Sequence, residues 1–337
     1  MEKGTERTMA EKKMGTIGIL TSGGDAPGMN AAIRAATRRA LGKGMRVKGI
    51  LEGYQGLIGN KMRDLSGRDV SGIVGLGGTI LYSARCREMM TEEGVDKAVR
   101  ACRDNGIEGL IVIGGDGSFR GARELARRGV NTIGVPGTID LDITCTDYTI
   151  GFDSAVNTAM QAIDRVRDTG TSHERVSIIE VMGRNVGYIA LWCGLAEGAE
   201  DVLLPETYDY DEQKIVDHII DIRRSGKRHH IIINAEGIGH SMAMAKRIEA
   251  GTGISTRATI LGHMQRGGSP TCKDRMYATV MGAYAVDLLA EGKTSRVVAC
   301  RDGRFVDFDI EEALNMTKEM SPYEIELTRS LSDSYAN

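Results

Sequence analysis

The chain has 337 residues, enough for about two domains of ordinary size with sizeable cores. Hydrophobic residues make up 41% and charged residues 26%, which is typical of a soluble globular protein, and a net charge of −3 excludes a general nucleic-acid-binding surface. Six scattered cysteines without a CxxC pair fit reduced cytoplasmic thiols, and no apolar run reaches the roughly 20 residues that span a bilayer. We therefore expect a cytoplasmic protein with neither a nucleic-acid nor a membrane partner.

Residues 1–13 carry charged side chains and have no apolar core, so we interpret them as a flexible extension and not as a signal peptide. Glycine is unusually frequent, with 44 residues, roughly twice its ordinary share of about 7%. These glycines stand singly or in pairs where apolar runs end. They indicate sharp turns or a close approach of the backbone to a ligand.

Strand-like apolar runs alternate with helical patterns along the chain. The predicted strands are 16–21, 46–51, 109–113, 131–137, 175–181, 201–205, 229–236 and 295–300. The predicted helices are 29–41, a helix through Val95, Ala98, Val99 and Cys102, one after Ser118, 153–168, one after Gly187, one through Ile215, Ile219 and Ile222, and 274–290. The alternation predicts an α/β protein with two Rossmann-like three-layer α/β/α domains and mostly parallel sheets.

Two predicted strands end in the same letters, Gly-Gly-Asp, at 23–25 and at 114–116, and a helical pattern follows each. A glycine-rich turn before a helix presents free backbone N–H groups and the positive end of the helix dipole, which suit a phosphate. A carboxylate beside phosphates repels them unless a cation lies between, so Asp116 indicates Mg²⁺. A plain tight turn is the alternative.

Two other phosphate-binding patterns fit the second corner poorly. A Walker A loop requires GxxxxGK[ST], which does not occur in the sequence. A dinucleotide fingerprint requires GxGxxG, whereas Gly115, Gly117 and Gly121 are spaced GxGxxxG.

The string "VPGTIDLD" follows the strand at 131–137 and contains Thr138, Asp140 and Asp142. In an extended segment the two aspartates point the same way. A phosphoryl acceptor needs a base near its hydroxyl, and an aspartate commonly supplies it in kinases. A solvated loop with helix-capping acids is the alternative.

Basic residues recur near the ends of later strands. Arg175 and Arg257 precede strand-like runs, and Arg184, His263 and Arg266 follow them. Taken singly, each arginine is interpreted as a surface residue and His263 as a buried, hydrogen-bonded histidine. Together they indicate a rim where anions bind.

Several strings in order resemble the bacterial ATP-dependent 6-phosphofructokinases: "TSGGDAPGMNAAIR", "GGTILYSAR", "VIGGDGS", "PGTID", "DYTIGF", "IEVMGR" and "LGHMQRGGSP". The resemblance runs from about Thr16 to Cys300 with nearly unchanged spacing. It implies a glycolytic kinase that phosphorylates fructose 6-phosphate. It also implies a nucleotide-binding domain over 14–150 and 264–314 and a sugar-phosphate domain over 151–263 and 315–337.

The resemblance also assigns site residues. It implies that ATP binds at Gly24, Arg85, Cys86, Gly115, Asp116, Gly117 and Ser118, with Mg²⁺ held by Asp116. It implies that the sugar phosphate binds at Thr138, Ile139, Asp140, Arg175, Met182, Gly183, Arg184, Glu236, Arg257, His263, Met264, Gln265 and Arg266. Asp140, Thr138 and Arg184 are the implied catalytic residues, with Asp140 as the base for the 1-hydroxyl.

In the family, Arg175 and Arg257 reach the active site of a neighbouring subunit, which implies a homotetramer with shared sites. The matching effector positions are Arg34, Arg38, Arg167, Glu200 and Lys227. They imply an ADP or phosphoenolpyruvate site. A solvated helix face with surface loops is the alternative, and Gly67 stands where the family has an arginine.

Other positions bear on the donor and on activity. Pyrophosphate-using relatives have Asp and Lys where this chain has Gly117 and Gly137, so ATP is the expected donor. Where this chain has Leu141 the family has an asparagine, and where it has Tyr82 the family has a glycine. Leu141 leaves open a weakly active or regulatory paralogue, and a kinase for tagatose 6-phosphate or sedoheptulose 7-phosphate is a nearer alternative. A nicotinamide dehydrogenase is disfavoured by the glycine spacing.

Overall fold

The computed structural model describes residues 15–209 and 211–333, and the expected extension at 1–13 lies outside them. The strands are β1 Thr16–Ser22, β2 Arg46–Ile50, β3 Met62–Asp64, β4 Gly109–Gly114, β5 Asn131–Pro136, β6 Val176–Val181, β7 Asp201–Leu203, β8 His230–Ala235, β9 Thr256–Ile260, β10 Arg296–Arg301 and β11 Arg304–Asp309. The helices are α1 Met29–Gly42, α2 Gly53–Ile58, α3 Glu92–Asp104, α4 Asp116–Ala126, α5 Phe152–His173, α6 Tyr188–Glu197, α7 Glu212–Arg224, α8 Ser241–Thr252, α9 Cys272–Ala290, α10 Ile310–Asn315 and α11 Pro322–Asp333.

The described strands form two sheets. The larger sheet has the order β11-β10-β5-β4-β1-β2-β3, with antiparallel strands at its two edges and parallel strands between. The smaller sheet, β7-β8-β6-β9, is parallel throughout. This architecture confirms the predicted α/β class with mostly parallel sheets.

Strand β4 is buried on both of its faces. Ile111 and Ile113 belong to one apolar core, whereas Leu110 and Val112 belong to another on the opposite face. A strand of a parallel sheet that is buried on both sides has a continuous apolar sequence, as "GLIVI" does.

Among the helices of the described residues, none combines the length and apolar character needed to cross a bilayer.

Several elements differ from the sequence predictions. Helix α4 begins at Asp116 and not after Ser118, and α5 continues beyond 168 through the poor helix formers of "TGTSH". Arg257 lies within β9 and not before it. The short or amphipathic elements β3, β11, α2, α8, α10 and α11 were not predicted, because their apolar patterns are weak. The predicted domain boundaries stay a prediction.

The strand register brings the key loops together. Ser22 at the end of β1 pairs with Gly114, and Gly114 pairs with Pro136 at the end of β5. In the smaller sheet, Val181 pairs with Ala235, so Met182 and Glu236 leave neighbouring strands side by side. Ligands in open α/β sheets bind beyond such carboxyl ends, so these loops frame the candidate site.

Candidate active site

The corner after β4 is tightly packed on one side. A Cβ at Gly114 would lie 2.5 Å from the Ser22 carbonyl oxygen, so a larger residue forces the backbone to move. The Ser118 hydroxyl donates a hydrogen bond to that same oxygen at 3.1 Å. Ser118 is therefore buried and structural, and it ties α4 to the end of β1.

The other side of this corner is open. A Cβ at Gly117 would meet no described atom within 4 Å, and Gly115 has extended backbone angles just before the helix. The first N–H groups of a helix have no partner within that helix, so they are available to an anion here. Asp116 begins α4, and its carboxylate accepts from the Arg120 Nε at 2.9 Å.

Asp140 is a carboxyl group at this edge whose pKa departs clearly from the ordinary value of an aspartate. It is 5% exposed, and its Oδ1 has no hydrogen-bond partner among the described residues. Burial, and then the negative charge of Asp142, raises the pKa of Asp140 to about 6, while Arg266, 4.0 Å from Oδ1, acts in the opposite direction. The Asp140 N–H donates to the Thr138 Oγ1 at 3.2 Å, which fixes the turn.

Asp142 lies close to both Asp140 and Asp116. Burial raises the pKa of Asp142, Arg184 opposes that shift, and the charge of Asp116 adds to it. The Arg184 Nη1 is 4.0 Å from the Asp142 carboxylate. The charges of these carboxylates influence one another, but among the described residues the three do not form a group whose ligand atoms all lie within 4.8 Å of one another. A divalent cation takes one or two carboxylates together with phosphate oxygens, so Asp116 at the helix start is the candidate ligand.

Leu141 separates the two buried aspartates. It has φ +58, a left-handed conformation that an asparagine adopts more readily than a leucine. Its side chain is buried in the apolar core, so it does not face the cleft. The Lys318 ammonium donates to the Leu141 carbonyl at 3.3 Å and holds the turn in place.

Glu236 organises the turn after β6. Its Oε1 accepts from the N–H groups of Gly183 at 3.2 Å and of Arg184 at 2.6 Å. Gly183 has φ +144 and Arg184 has φ +58, so the turn is sharp and needs this support. The Arg184 side chain remains mostly exposed at the cleft.

A short 3₁₀ helix, Gly262–Arg266, carries the residues predicted to bind the sugar phosphate. His263 and Met264 are exposed. The Arg266 Nη1 donates to the Asp25 carbonyl at 3.0 Å. This arginine thus links the first Gly-Gly-Asp corner to Asp140.

Two residues predicted to bind the substrate, Gln265 and Ile139, have side chains that are directed into the protein. Gln265 is fully buried; its Oε1 accepts from the Met182 N–H at 2.8 Å and its Nε2 donates to the Ala155 carbonyl at 3.4 Å. Gln265 therefore positions Met182. Ile139 is also fully buried, so only its backbone can face the cleft.

Arg175 and Arg257 lie at the amino end of the smaller sheet, apart from the basic residues that follow the strands. Arg257 pairs with Ser177 near the start of β6, and Arg175 immediately precedes that strand. At about 3.3 Å per residue, Arg175 is roughly 20 Å and Arg257 roughly 13 Å from the carboxyl end of β6. Arg257 contacts Glu249 at 3.2 Å.

The loop predicted to hold the nucleotide base lies beside the first corner. The Ser83 hydroxyl donates to the Gly23 carbonyl at 2.5 Å. In this loop Arg85 is exposed and Cys86 is half-buried. Tyr82 is 62% exposed at φ +58, a conformation that the family's glycine adopts without strain.

The residues predicted to bind an effector fall into two groups. Lys227 forms an ion pair with the buried Glu200, and the Arg167 Nη2 lies 3.6 Å from the Glu197 carboxylate nearby. Arg34 and Arg38 lie on α1, which connects β1 and β2 of the larger sheet, and Arg38 donates to the Gly67 carbonyl at 3.5 Å.

Asp274 is a positioning residue that the sequence reasoning missed. It is fully buried and accepts from the Tyr148 hydroxyl, the Gly151 N–H and the Ser154 N–H at 2.6–2.8 Å. These bonds anchor the segment after Asp140 to α9. The sequence signal was only an acid at a helix start, which is typical of capping.

Comparison with known proteins shows which family this chain resembles in sequence. The sequence pattern of a family described as Phosphofructokinase matches residues 16–289. An ATP-dependent 6-phosphofructokinase of Clostridium botulinum is 55% identical over 301 residues, 89% of this chain and 94% of the relative. One from Clostridium acetobutylicum is 54% identical and covers 95% of this chain and all of the relative.

Solved structures agree in fold. The T-state phosphofructokinase of Pichia pastoris superposes with a TM-score of 0.85 at 32% identity, over 97% of this chain and 37% of that longer chain. A pyrophosphate-dependent phosphofructokinase of Marinobacter aquaeolei superposes with a TM-score of 0.83 at 21% identity, over 96% of this chain and 91% of that one. The second likeness shows the fold alone.

Proposed function

The chain belongs to the phosphofructokinase family and transfers a phosphoryl group from ATP to fructose 6-phosphate, and we propose that Asp140 is the base of this reaction. The observation that carries the proposal is a buried carboxylate with an unpartnered oxygen beside the open N-terminus of α4. The carboxylate accepts the proton of the sugar's 1-hydroxyl while the hydroxyl oxygen attacks the γ-phosphorus of ATP, and the bond from that phosphorus to the ADP oxygen breaks, so that ADP leaves.

The raised pKa of Asp140 suits this role. At about 6 it leaves the carboxylate ionised at neutral pH and makes it a stronger base than an ordinary aspartate. Thr138 fixes the backbone of the base, and Arg184 faces the neighbouring Asp142. As negative charge builds up on the transferring group, Arg184 is positioned to offset it.

ATP binds along the first corner and the open second corner, at Gly24, Arg85, Cys86 and Gly115–Gly117, while Ser118, also predicted to bind ATP, holds this corner to the end of β1. The backbone N–H groups at the start of α4 donate to phosphate oxygens. A divalent cation, Mg²⁺, would be held by Asp116; when bound, it would offset the repulsion between the phosphates and the nearby carboxylates. Arg120 is free to release Asp116 because its side chain is largely exposed.

Fructose 6-phosphate binds between the two sheets. Met182, Gly183 and Arg184 contact the sugar through the turn that Glu236 supports, and His263 and Arg266 bind its 6-phosphate. Charge-assisted hydrogen bonds of this kind contribute about 1.5–3 kcal/mol each.

Arg175 and Arg257 act in a neighbouring subunit of a homotetramer with shared active sites. Their positions, about 20 Å for Arg175 and about 13 Å for Arg257 from the carboxyl end of β6, support a role outside their own chain's site. Arg34, Arg38, Arg167, Glu200 and Lys227 form an ADP or phosphoenolpyruvate site in that assembly. The six cysteines, which all lie in the described residues, are free thiols, which supports a cytoplasmic location.

Replacing Asp140 with Ser tests the proposal. We expect turnover with ATP and fructose 6-phosphate to fall by a factor of about 10³ or more, because the proton acceptor is lost. Equilibrium binding of each substrate alone should stay within a few-fold, since the carboxylate acts on the reacting hydroxyl. Unchanged turnover in a variant that still binds both substrates would remove Asp140 from the role.

The pH dependence offers a second test. Because only the ionised carboxylate accepts a proton, kcat/KM should fall as the pH drops through about 6, the pKa of Asp140 in the free protein. Asp142→Asn removes a neighbouring negative charge and should shift this acid limb to lower pH. A limb that stays in place, or moves upward, would assign it to another group.

A further inference from the structure

A second cluster of ionisable side chains lies at the amino end of the smaller sheet, away from Asp140. Asp201 begins β7, His230 begins β8, and His218 lies on α7, which connects these two strands. Asp201 pairs with Ile232, two residues after His230, so alternation places Asp201 and His230 on the same face. The crossover helix brings His218 onto that face.

The three side chains are already in contact. The His218 Nδ1 is 3.1 and 3.2 Å from the two Asp201 oxygens, and the His230 Nε2 is 2.6 Å from Oδ2. Burial works against ionisation of Asp201, but the hydrogen bonds from both histidines lower its pKa to about 2. A carboxylate thus stands between two imidazoles, and the His230 side chain is 4% exposed.

We propose that Asp201, His218 and His230 form a binding site for a divalent transition metal, Zn²⁺ in the first instance. One ligand atom from each residue lies within 4.8 Å of the others. Ligand atoms around a tetrahedral zinc are separated by about 3.3–3.6 Å, given metal–ligand bonds of about 2.0–2.2 Å. The two His–Asp contacts, at 2.6 and 3.1 Å, are shorter than that separation by about 1 Å or less, and the ligand nitrogens of the two histidines lie within 4.8 Å of each other.

A fourth ligand has room to enter. A cavity of about 390 Å³ is lined by Asp201 and His218 and also by Asp209 and Asp211. The two additional carboxylates favour entry of a cation, although Lys214 and Arg329, which also line the cavity, offset part of their charge. A water molecule in this cavity would complete the tetrahedron.

The proposal is independent of the phosphoryl-transfer site. Two imidazoles and one carboxylate suit zinc, cobalt or nickel, whereas Mg²⁺ prefers oxygen ligands. The cluster adjoins Glu200 and Ile231, whose hydrogen bond of 2.6 Å joins the start of the same two strands. A metal here would therefore stabilise the junction of β7, β8 and α7.

Metal binding to the full chain provides the test. Protein freed of metal by chelation is titrated with Co²⁺, followed by visible absorption, and with Zn²⁺ in competition with a chromophoric chelator. We expect one tight site per chain. His218→Gln, at a partly exposed position, and the isosteric Asp201→Asn should each weaken binding by at least about tenfold.

His229→Gln is the matched control, because His229 neighbours His230 in sequence and lies outside the cluster. It should bind as tightly as the natural chain. Cys272→Ser controls for the exposed thiol. Circular dichroism of the metal-free variants checks their fold. If the natural chain binds no stoichiometric metal, or if both ligand variants bind as well as it does, the cluster is only a hydrogen-bonded His–Asp–His network.

Discussion

The two Gly-Gly-Asp corners share their letters but differ in geometry. After β4, the helix begins at Asp116 itself, so the carboxylate and the free N–H groups face the same open space. After β1, α1 begins only at Met29, and Gly23 has φ +89. There the Asp25 carbonyl accepts from Arg266, whose side chain covers the corner.

The difference shows that a motif's chemistry depends on where the next helix begins. At the second corner the helix dipole and a carboxylate act on one ligand, a combination that suits a metal–nucleotide complex. At the first corner an arginine from a distant segment packs against the glycines. That corner therefore connects the nucleotide side of the cleft to the sugar-phosphate side.

The largest expected difference between the two corners comes from replacing the aspartate of each corner, in turn, with asparagine. Asp116→Asn should lower kcat/KM for Mg-ATP on the order of a hundredfold, because one charged contact of about 1.5–3 kcal/mol is lost. Asp25→Asn should change it less than about threefold, since Asp25 contributes its backbone carbonyl to Arg266. Steady-state kinetics with varied ATP and Mg²⁺ measure both.

Equal losses in the two variants would show that the two corners act alike on Mg-ATP. A thermal melt of each variant separates a local effect from unfolding. Raising Mg²⁺ should partly rescue Asp116→Asn, because a weaker metal site fills at higher metal concentration.

A smaller effect is expected at Gly117, where a side chain would point into open space. Gly117→Asp should raise the KM for ATP about tenfold, because a second carboxylate beside the phosphates adds repulsion. Gly117→Ala is the control for size alone and should leave the KM within about twofold. If both variants behave alike, bulk and not charge governs the donor site.

Much of the fold could be predicted from sequence, because buried parallel strands and amphipathic helices have strong patterns. β4 and β5 match their predicted runs to within a residue. β3 and β11 lie at the sheet edges, where partial exposure weakens the alternation. The end of α5 has the opposite problem, since Gly170 and its neighbours form helix against their own preference.

The site was less predictable, because side-chain direction depends on tertiary contacts. Gln265 lies in a motif that predicts substrate binding, but its side chain points into the protein and accepts a hydrogen bond from the Met182 N–H. The Asp201–His218–His230 cluster has no compact motif, since its members come from three elements. Gly137 shows the same limit: a Cβ there would lie 3.1 Å from Ile113, a packing contact that the sequence does not reveal.

The smallest effect is expected at Gly24, and it should appear on the other substrate. A Cβ there would lie 2.6 Å from the Arg266 Nη1, the far end of a flexible side chain that can move at modest cost. Gly24→Ala should therefore displace Arg266 and raise the KM for fructose 6-phosphate a few-fold, about 1 kcal/mol at most. The KM for ATP should change less, because alanine keeps the backbone groups through which Gly24 contacts ATP and leaves the second corner untouched. Initial rates with each substrate varied in turn test this, with Gly117→Ala as the matched glycine-to-alanine control. A variant that affects only ATP would place the first corner with the nucleotide and break its link to the sugar phosphate.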